Sequence, residues 1–137
     1  MSCTFFGSRD TLEQALPSIK NAILELIRLG VVDFYVGNNG NFDHLAQLAL
    51  IGLRGRYEIK VHILLAYINE MALSGFQDYT EFCEGLENVP KRLAICRRNN
   101  IMLQKATFVI TNAHKSTGNS RTWLSKAIRQ GKKIIYI

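Results

Sequence analysis

The feature that most constrains the fold is a regular alternation of β-prone and helix-prone segments along all 137 residues. Short apolar runs predict five strands, at residues 3–6, 31–36, 58–66, 107–111 and 134–137. Amphipathic segments predict four helices, at about residues 17–29, 42–53, 90–105 and 121–130. Strands that alternate with helices are joined by right-handed crossovers and lie parallel. The sequence therefore predicts a Rossmann-like three-layer α/β sandwich with a mainly parallel sheet of about five strands.

Two segments do not follow this alternation. Residues 11–16 precede Pro17, which suits the first turn of a helix, so they are predicted to form a separate turn. Residues 67–88 show no clear period and contain turn-forming glycines. Long irregular segments of this kind are often functional lids or ligand walls, and a tolerated insertion is the alternative.

The bulk properties indicate one domain in the cytoplasm. A chain of this length, 47% hydrophobic, can bury one core over residues 1–137. It has no apolar stretch long enough to cross a bilayer, and its N-terminus lacks the charged and apolar regions of a secretory signal. The formal net charge of +6 favours an anionic partner, such as a phosphate or a nucleic acid.

The cysteines and histidines do not indicate a disulfide or a metal centre. No two cysteines have CxxC spacing, and no two histidines form an HxxxH or HExxH pair. Reduced thiols are therefore expected, and neither a metal nor a cofactor is predicted. The residues concerned are Cys3, Cys83, Cys96, His44, His62 and His114.

Loops that follow predicted strands carry the residue types that bind phosphate. After the first strand, Gly7, Ser8 and Arg9 offer close backbone approach, a hydroxyl donor and a guanidinium, although a plain turn would look the same. After the second strand comes a loop that can aim backbone N–H groups at an anion, formed by Gly37, Asn38, Asn39 and Gly40. Asp43 either hydrogen-bonds a ribose or caps the helix that follows.

Two later segments add to this set. Arg97 and Arg98 lie on different faces of one helix, so at most one of them is expected to point into a cleft. After the fourth strand, a small-residue cradle leads into a helix N-terminus, the usual place for a bound anion. Its candidate phosphate-binding residues are Ser116, Thr117, Gly118, Asn119, Ser120 and Thr122.

Four stretches of the chain, CTFFGSRD, FYVGNNGNFD, NVPKRLAICRRNN and ATFVITNAHKSTGNSRT, resemble the SMF/DprA–LOG (SLOG) superfamily of Rossmann-like nucleotide-binding proteins. The resemblance is strongest to its small bacterial members of the YpsA-like kind and covers the whole chain. It implies a nucleotide-binding protein, and since such relatives often form dimers, it also implies a homodimer. Ser8 stands where these relatives commonly have histidine.

The Lonely Guy phosphoribohydrolases of that superfamily allow a residue-by-residue comparison. Family positions are matched by Arg98, Met102, Ala106, Gly118 and Thr122. Departures occur at Asn99, Thr107, Asn119 and Arg121, and Ser125 replaces the catalytic glutamate. The resemblance therefore implies that Arg98 faces the ligand and that phosphate binding persists without the carboxylate that hydrolysis needs.

Three functions are consistent with these features. The leading hypothesis is a sensor or regulatory module that binds a nucleotide or a nucleotide-derived phosphate and has no catalytic residue. An N-glycosidic hydrolase is the second, and its acid or base would come from the irregular segment, at Glu70, Asp78, Glu81, Glu84 or Glu87. Single-stranded DNA binding is the third, although basic and aromatic residues are not interleaved.

Overall fold

The computed structural model describes residues 1–67, 79–83, 85–86 and 88–137. Its strands are β1 Ser2–Phe6, β2 Asp33–Val36, β3 Lys60–Leu65, β4 Thr80–Phe82, β5 Phe108–Thr111 and β6 Lys133–Tyr136. Its helices are α1 Leu16–Arg28, α2 Asn41–Arg54, α3 Lys91–Lys105 and α4 Ser120–Arg129. The predicted α/β fold is confirmed, and every predicted strand and helix lies within two residues of its observed bounds. A 3-10 turn at Glu13–Ala15 accounts for the segment before Pro17.

All strands of the sheet run parallel, in the order β4-β3-β2-β1-β5-β6. The chain builds outward from β1 to β4 and then returns to place β5 on the free side of β1. The strand order therefore reverses between β1 and β5. In open parallel sheets, the crevice beyond the carboxyl ends of the two strands at such a reversal is where ligands bind.

Among the described residues the sheet has six strands, one more than the five that the sequence predicted. The additional strand is β4. This strand covers only Thr80–Phe82, with the charged Glu81 at its centre, and so it is too short to show a hydrophobic period. It is held by parallel pairing of Ile63 with Thr80 and of Leu65 with Phe82. Long-range pairing, and not local sequence preference, makes this segment a strand.

Hydrophobic side chains fill both faces of the sheet. In β2, Phe34 and Val36 point toward α1 and α2 and join a core that contains Phe5, Ile23 and Leu50. The opposite core, under α3 and α4, is built from Phe6, Leu64, Ala94, Met102, Leu103 and Ala127. Alternate residues of the inner strands are thus apolar on both sides, as expected for a sheet covered by helices on each face. No helix in the described ranges is long and apolar enough to cross a membrane.

Candidate functional site

The parallel sheet brings three of the predicted loops to one edge. Residues 7–10 follow β1, residues 37–40 follow β2, and residues 112–119 follow β5. Because the carboxyl ends of parallel strands share an edge, these loops lie side by side, with the β1 loop in the middle. The helix N-termini of α2 and α4 open toward the same edge.

An open cleft of about 620 Å³ lies between the loops that follow β1 and β5. Its hydroxyl groups come from Ser8, Thr11, Ser18, Ser116 and Thr117. Lys115 and Asp10 add one positive and one negative side chain, while Leu12 and Ile137 add apolar surface. The cleft therefore sits at the reversal of strand order and combines hydroxyl donors with apolar surface.

Asn112 crosses the floor of this cleft and joins its two walls. The Asn112 Oδ1 atom accepts a hydrogen bond from the Ser8 amide at 2.9 Å, and its Nδ2 atom donates to Thr11 Oγ1 at 3.0 Å. The Thr11 hydroxyl in turn donates to the Ser8 carbonyl at 2.6 Å. These bonds set the separation of the β1 and β5 loops. Sequence reasoning missed Asn112, Thr11 and Ser18, because selecting them required the strand order.

The loop after β2 is hydrogen-bonded to the loop after β1, on the side opposite the β5 loop. The Asn41 amide donates to the Arg9 carbonyl at 2.9 Å, and its side chain donates to the Thr11 carbonyl. Gly40 has a φ of +91°, and a Cβ atom there would lie 2.8 Å from Arg9 Cα. This glycine is therefore required by its backbone conformation and by the close approach of the two loops.

Five predicted site residues form a buried polar cluster instead of lining the cleft. Arg98, only 2% exposed, donates to Asn39 Oδ1 and, at 3.0 Å, to Asn99 Oδ1. A Cβ atom on Gly37 would lie 2.9 Å from both Arg98 Cζ and Asp43 Oδ2. Asn38 is also buried, and its Oδ1 atom accepts a hydrogen bond from Gln47 Nε2 at 2.9 Å. A buried cluster thus stabilises the loop after β2, and it consists of Gly37, Asn38, Asn39, Asp43 and Arg98.

The carboxyl group of Asp43 is the most perturbed part of this cluster. Burial raises its pKa from 3.8 to about 6, against the opposing effects of the Arg98 guanidinium and of the Asn39 amide. That amide donates to Asp43 Oδ2 at 3.0 Å, so the carboxylate holds the loop that precedes α2. The sequence left open a ribose contact and a helix cap for this residue, and in the structure no side chain caps the N-terminus of α2.

The segment that opens α4 lies beside the cleft but is largely exposed. Thr117, Gly118, Asn119 and Thr122 are exposed, and no side chain caps the helix N-terminus. The Gly118 amide donates to Ser116 Oγ at 3.0 Å, which orders the turn before the helix. The Ser120 Oγ atom is buried and has no hydrogen-bond partner among the described atoms.

The space beside Gly7 is filled by another side chain of the protein. A Cβ atom on this residue would lie 2.0 Å from the ring of Phe42, which is buried at the start of α2. The close backbone approach that the sequence predicted at Gly7 is made here by an aromatic side chain. Its role in the structure is to let α2 pack against the end of β1.

Gly7→Ala is expected to lower the free energy of unfolding by about 1–3 kcal/mol, because Phe42 must move to admit the new methyl group. Gly52→Ala is the matched control, since nothing lies within 4 Å of a Cβ atom at that helical position. The control is expected to gain roughly 0.5–1 kcal/mol from the higher helix propensity of alanine. Urea denaturation measures both, and unchanged stability of Gly7→Ala would contradict the packing described.

The acidic candidates for catalysis lie away from the cleft or outside the described residues. Glu81 in β4 contacts His62, whose other ring nitrogen lies 3.0 Å from Asp33 Oδ1. Ser125 is exposed on α4. The remaining candidates, Glu70, Asp78, Glu84 and Glu87, lie outside the described residues. Within the described ranges, no three His, Cys, Asp or Glu side chains are grouped to hold a metal ion.

The fold and the cleft define a Rossmann-like protein with an open crevice at the reversal of strand order. No protein-family model and no curated protein sequence matches the chain. Among solved structures, it is similar to DNA processing protein A (DprA) from Streptococcus pneumoniae, with a TM-score of 0.72 and 18% identity. The match covers 97% of this chain and 48% of DprA, so this chain spans about half the length of that protein. The two share a fold.

Proposed function

We propose that the cleft between β1 and β5 binds a nucleotide or a nucleotide-derived phosphate, and that the protein is a sensor or regulatory module of the YpsA-like kind. The observation that carries this proposal is the position of a hydroxyl-rich cleft at the reversal of strand order, where parallel α/β sheets bind such ligands. A volume of about 620 Å³ is within the usual range for small-molecule sites.

The residues of the cleft divide by chemistry in a way that suits a nucleotide. The Ser116 and Thr117 hydroxyls and the Lys115 ammonium would hold the phosphate beside the α4 N-terminus, where backbone N–H groups favour anions. Asp10 would accept hydrogen bonds from sugar hydroxyls. Leu12 and Ile137 would cover one face of the base.

The other predicted site residues would support this cleft or extend it. Gly118, Asn119, Ser120 and Thr122 continue the phosphate side at the opening turn of α4. The buried Arg98 cluster would act through the 37–40 loop, which is bonded to the β1 loop by Asn41. In this proposal Arg98 positions the loop, and the ligand contacts belong to Lys115 and the hydroxyls.

Lys115→Ala is expected to weaken the binding of AMP about tenfold, since a charge-assisted hydrogen bond is worth roughly 1.5–3 kcal/mol. Isothermal titration calorimetry measures this change. Arg28→Ala removes the same charge from the last turn of α1, at the far edge of the sheet, and is expected to leave the affinity unchanged. Equal losses in both variants would mean that net charge, and not the cleft, attracts the nucleotide.

Thermal denaturation with nucleotide and an assay for released base together separate a sensor from a hydrolase. Nucleotides are expected to raise the melting temperature of the wild-type protein without release of free base. Ser125→Glu places a carboxylate where the Lonely Guy phosphoribohydrolases have their catalytic glutamate. This variant serves as the comparison for turnover. Robust release of base from AMP by the wild-type protein, lost in Lys115→Ala, would replace the sensor proposal by the hydrolase.

Single-stranded DNA binding is the second candidate. It is supported by the fold shared with a protein named for DNA processing and by the net charge of +6. An affinity for single-stranded oligonucleotides that falls steeply with salt, and that AMP competes away, would place DNA in the cleft.

The proposal also includes a homodimer, which light scattering on the purified protein would detect.

A further inference from the structure

Charge is distributed very unevenly along this chain. Residues 88–137 contain eleven Lys and Arg and no Asp or Glu, whereas residues 1–87 contain six Lys and Arg against eleven Asp and Glu. The net charge of +6 is therefore the sum of a strongly basic C-terminal part and an acidic N-terminal part. All of residues 88–137 lie within the described part of the structure.

The fold collects much of this positive charge in one layer. Helices α3 and α4 lie on the same side of the sheet, and Lys126 Nζ on α4 donates to Asn100 Oδ1 on α3. Six basic side chains of the two helices are exposed, namely Lys91, Arg92, Arg97, Lys105, Arg121 and Arg129. We call this set the basic face. Arg121 and Arg129 lie on one stripe of α4, roughly 12 Å apart along its axis.

Helix stability does not explain these cations. Lys91, Arg92 and Arg121 lie in the first turns of α3 and α4, where the helix dipole disfavours positive charge, and neither turn contains an acidic residue. Among the described residues, no carboxylate forms a salt bridge with any member of the basic face. Lys91 and Lys105 lie 5.0 and 5.5 Å from the ring centres of Tyr67 and Tyr35. The four arginines of the basic face have no described carboxylate partner, and an external polyanion would neutralise them.

We propose that the basic face binds the phosphate backbone of double-stranded DNA, independently of the β1–β5 cleft and without reading the bases. Single-strand recognition relies on aromatic side chains on which bases stack. Helix α3 contains no aromatic residue, and the one in α4, Trp123, is half-buried and stacks on Phe6. Beside the face, the rings of Tyr67 and Tyr35 are half-buried and are already in contact with Lys91 and Lys105. A surface with many cations and no free aromatic ring favours the form of DNA with the higher charge density, which is the duplex.

The experiment is fluorescence anisotropy with a labelled duplex of about 20 base pairs and with a single strand of the same length. The Arg121→Ala/Arg129→Ala double variant removes two cations from the basic face. The Lys20→Ala/Arg28→Ala double variant is matched, because it removes two exposed cations at the same eight-residue spacing from α1 in the opposite layer. Lys115→Ala reports on the cleft.

The wild-type protein is expected to bind the duplex more tightly than the single strand. Arg121→Ala/Arg129→Ala is expected to weaken duplex binding about tenfold or more at about 0.1 M salt and to lower the slope of log affinity against log salt by about two. Lys20→Ala/Arg28→Ala is expected to change affinity less than about twofold, and Lys115→Ala similarly. Circular dichroism of each variant establishes that it is folded.

Three outcomes would overturn the proposal. Equal losses in both double variants would show that net charge acts without a defined surface. Loss of duplex binding in Lys115→Ala, or competition by AMP, would place the DNA in the cleft. Binding to vesicles containing phosphatidylglycerol, with no binding to duplex, would make the partner an anionic membrane. Failure of the nucleotide proposal would leave the duplex measurements unaffected, so the two proposals fail separately.

Discussion

Arg98→Ala is expected to lower the free energy of unfolding by about 3–5 kcal/mol near neutral pH, the usual cost of removing one partner from a buried charged cluster. The guanidinium of Arg98 lies inside the protein, donates to Asn39 and Asn99, and faces the buried carboxyl group of Asp43. Its removal leaves that carboxyl group buried without a neighbouring positive charge. It also opens a cavity beneath the 37–40 loop.

Arg97→Ala is the matched control, because this neighbouring arginine is exposed on the other side of α3. Its loss is expected to change stability by less than about 0.5 kcal/mol. Urea denaturation followed by circular dichroism measures both variants. Similar stabilities for the two would contradict the burial of Arg98.

The same pair of variants tests the role that the superfamily resemblance implies for Arg98. The sequence predicts that Arg98→Ala weakens nucleotide binding more than Arg97→Ala does, and this stays a prediction. Arg98→Lys separates the two roles, since it keeps the charge but cannot reach Asn39 and Asn99 with a forked guanidinium. If Arg98 only positions the 37–40 loop, nucleotide affinity will follow stability across these variants. If it contacts the ligand, Arg98→Lys will lose affinity while remaining folded.

The stability of the wild-type protein, relative to Asp43→Asn, is expected to fall as pH rises from about 4 to about 7. Burial raises the pKa of Asp43 to about 6 in the folded protein, above its ordinary value of 3.8. Between these two values the folded state holds a proton that the unfolded state has released. The stabilising contribution is therefore complete below the unfolded pKa and is lost as pH rises through the folded pKa.

A separation of about two pKa units corresponds to about 3 kcal/mol across this range. Denaturation of the wild type and of Asp43→Asn at several pH values measures the change, and taking the difference cancels the titration of all other groups. Asp10→Asn, at the exposed rim of the cleft, is the control for loss of a carboxylate outside the buried cluster. If the stability difference between the wild type and Asp43→Asn instead increases with pH, then the Arg98 guanidinium lowers the pKa of Asp43 more than burial raises it.

The two predictions are linked through the proton on Asp43. Without Arg98, the Asp43 carboxyl group is expected to take up a proton and to remain buried as a neutral acid. The cost of Arg98→Ala should therefore be smaller at about pH 5 than at about pH 7. Denaturation of Arg98→Ala at the two pH values measures this change.

The sequence by itself determined the class of fold. Periods of two and of 3.6 residues are local properties, so they located every element long enough to show one, from β1 at Ser2–Phe6 to β6 at Lys133–Tyr136. The alternation of strands and helices then required a parallel sheet, and a parallel sheet required that the loops after its strands share one edge. Those loops could therefore be named as candidates from the sequence alone.

The tertiary structure decided how those loops are used. Which strands are neighbours depends on pairing between distant residues, and so the cleft between β1 and β5, with Asn112 across its floor, could not be found from any local pattern. β4 is likewise a strand only because β3 lies beside it. Burial also depends on packing from several elements, which placed Arg98 inside the protein and the Phe42 ring over Gly7. Local sequence specifies which residues are available, and long-range packing determines which of them face solvent and a ligand.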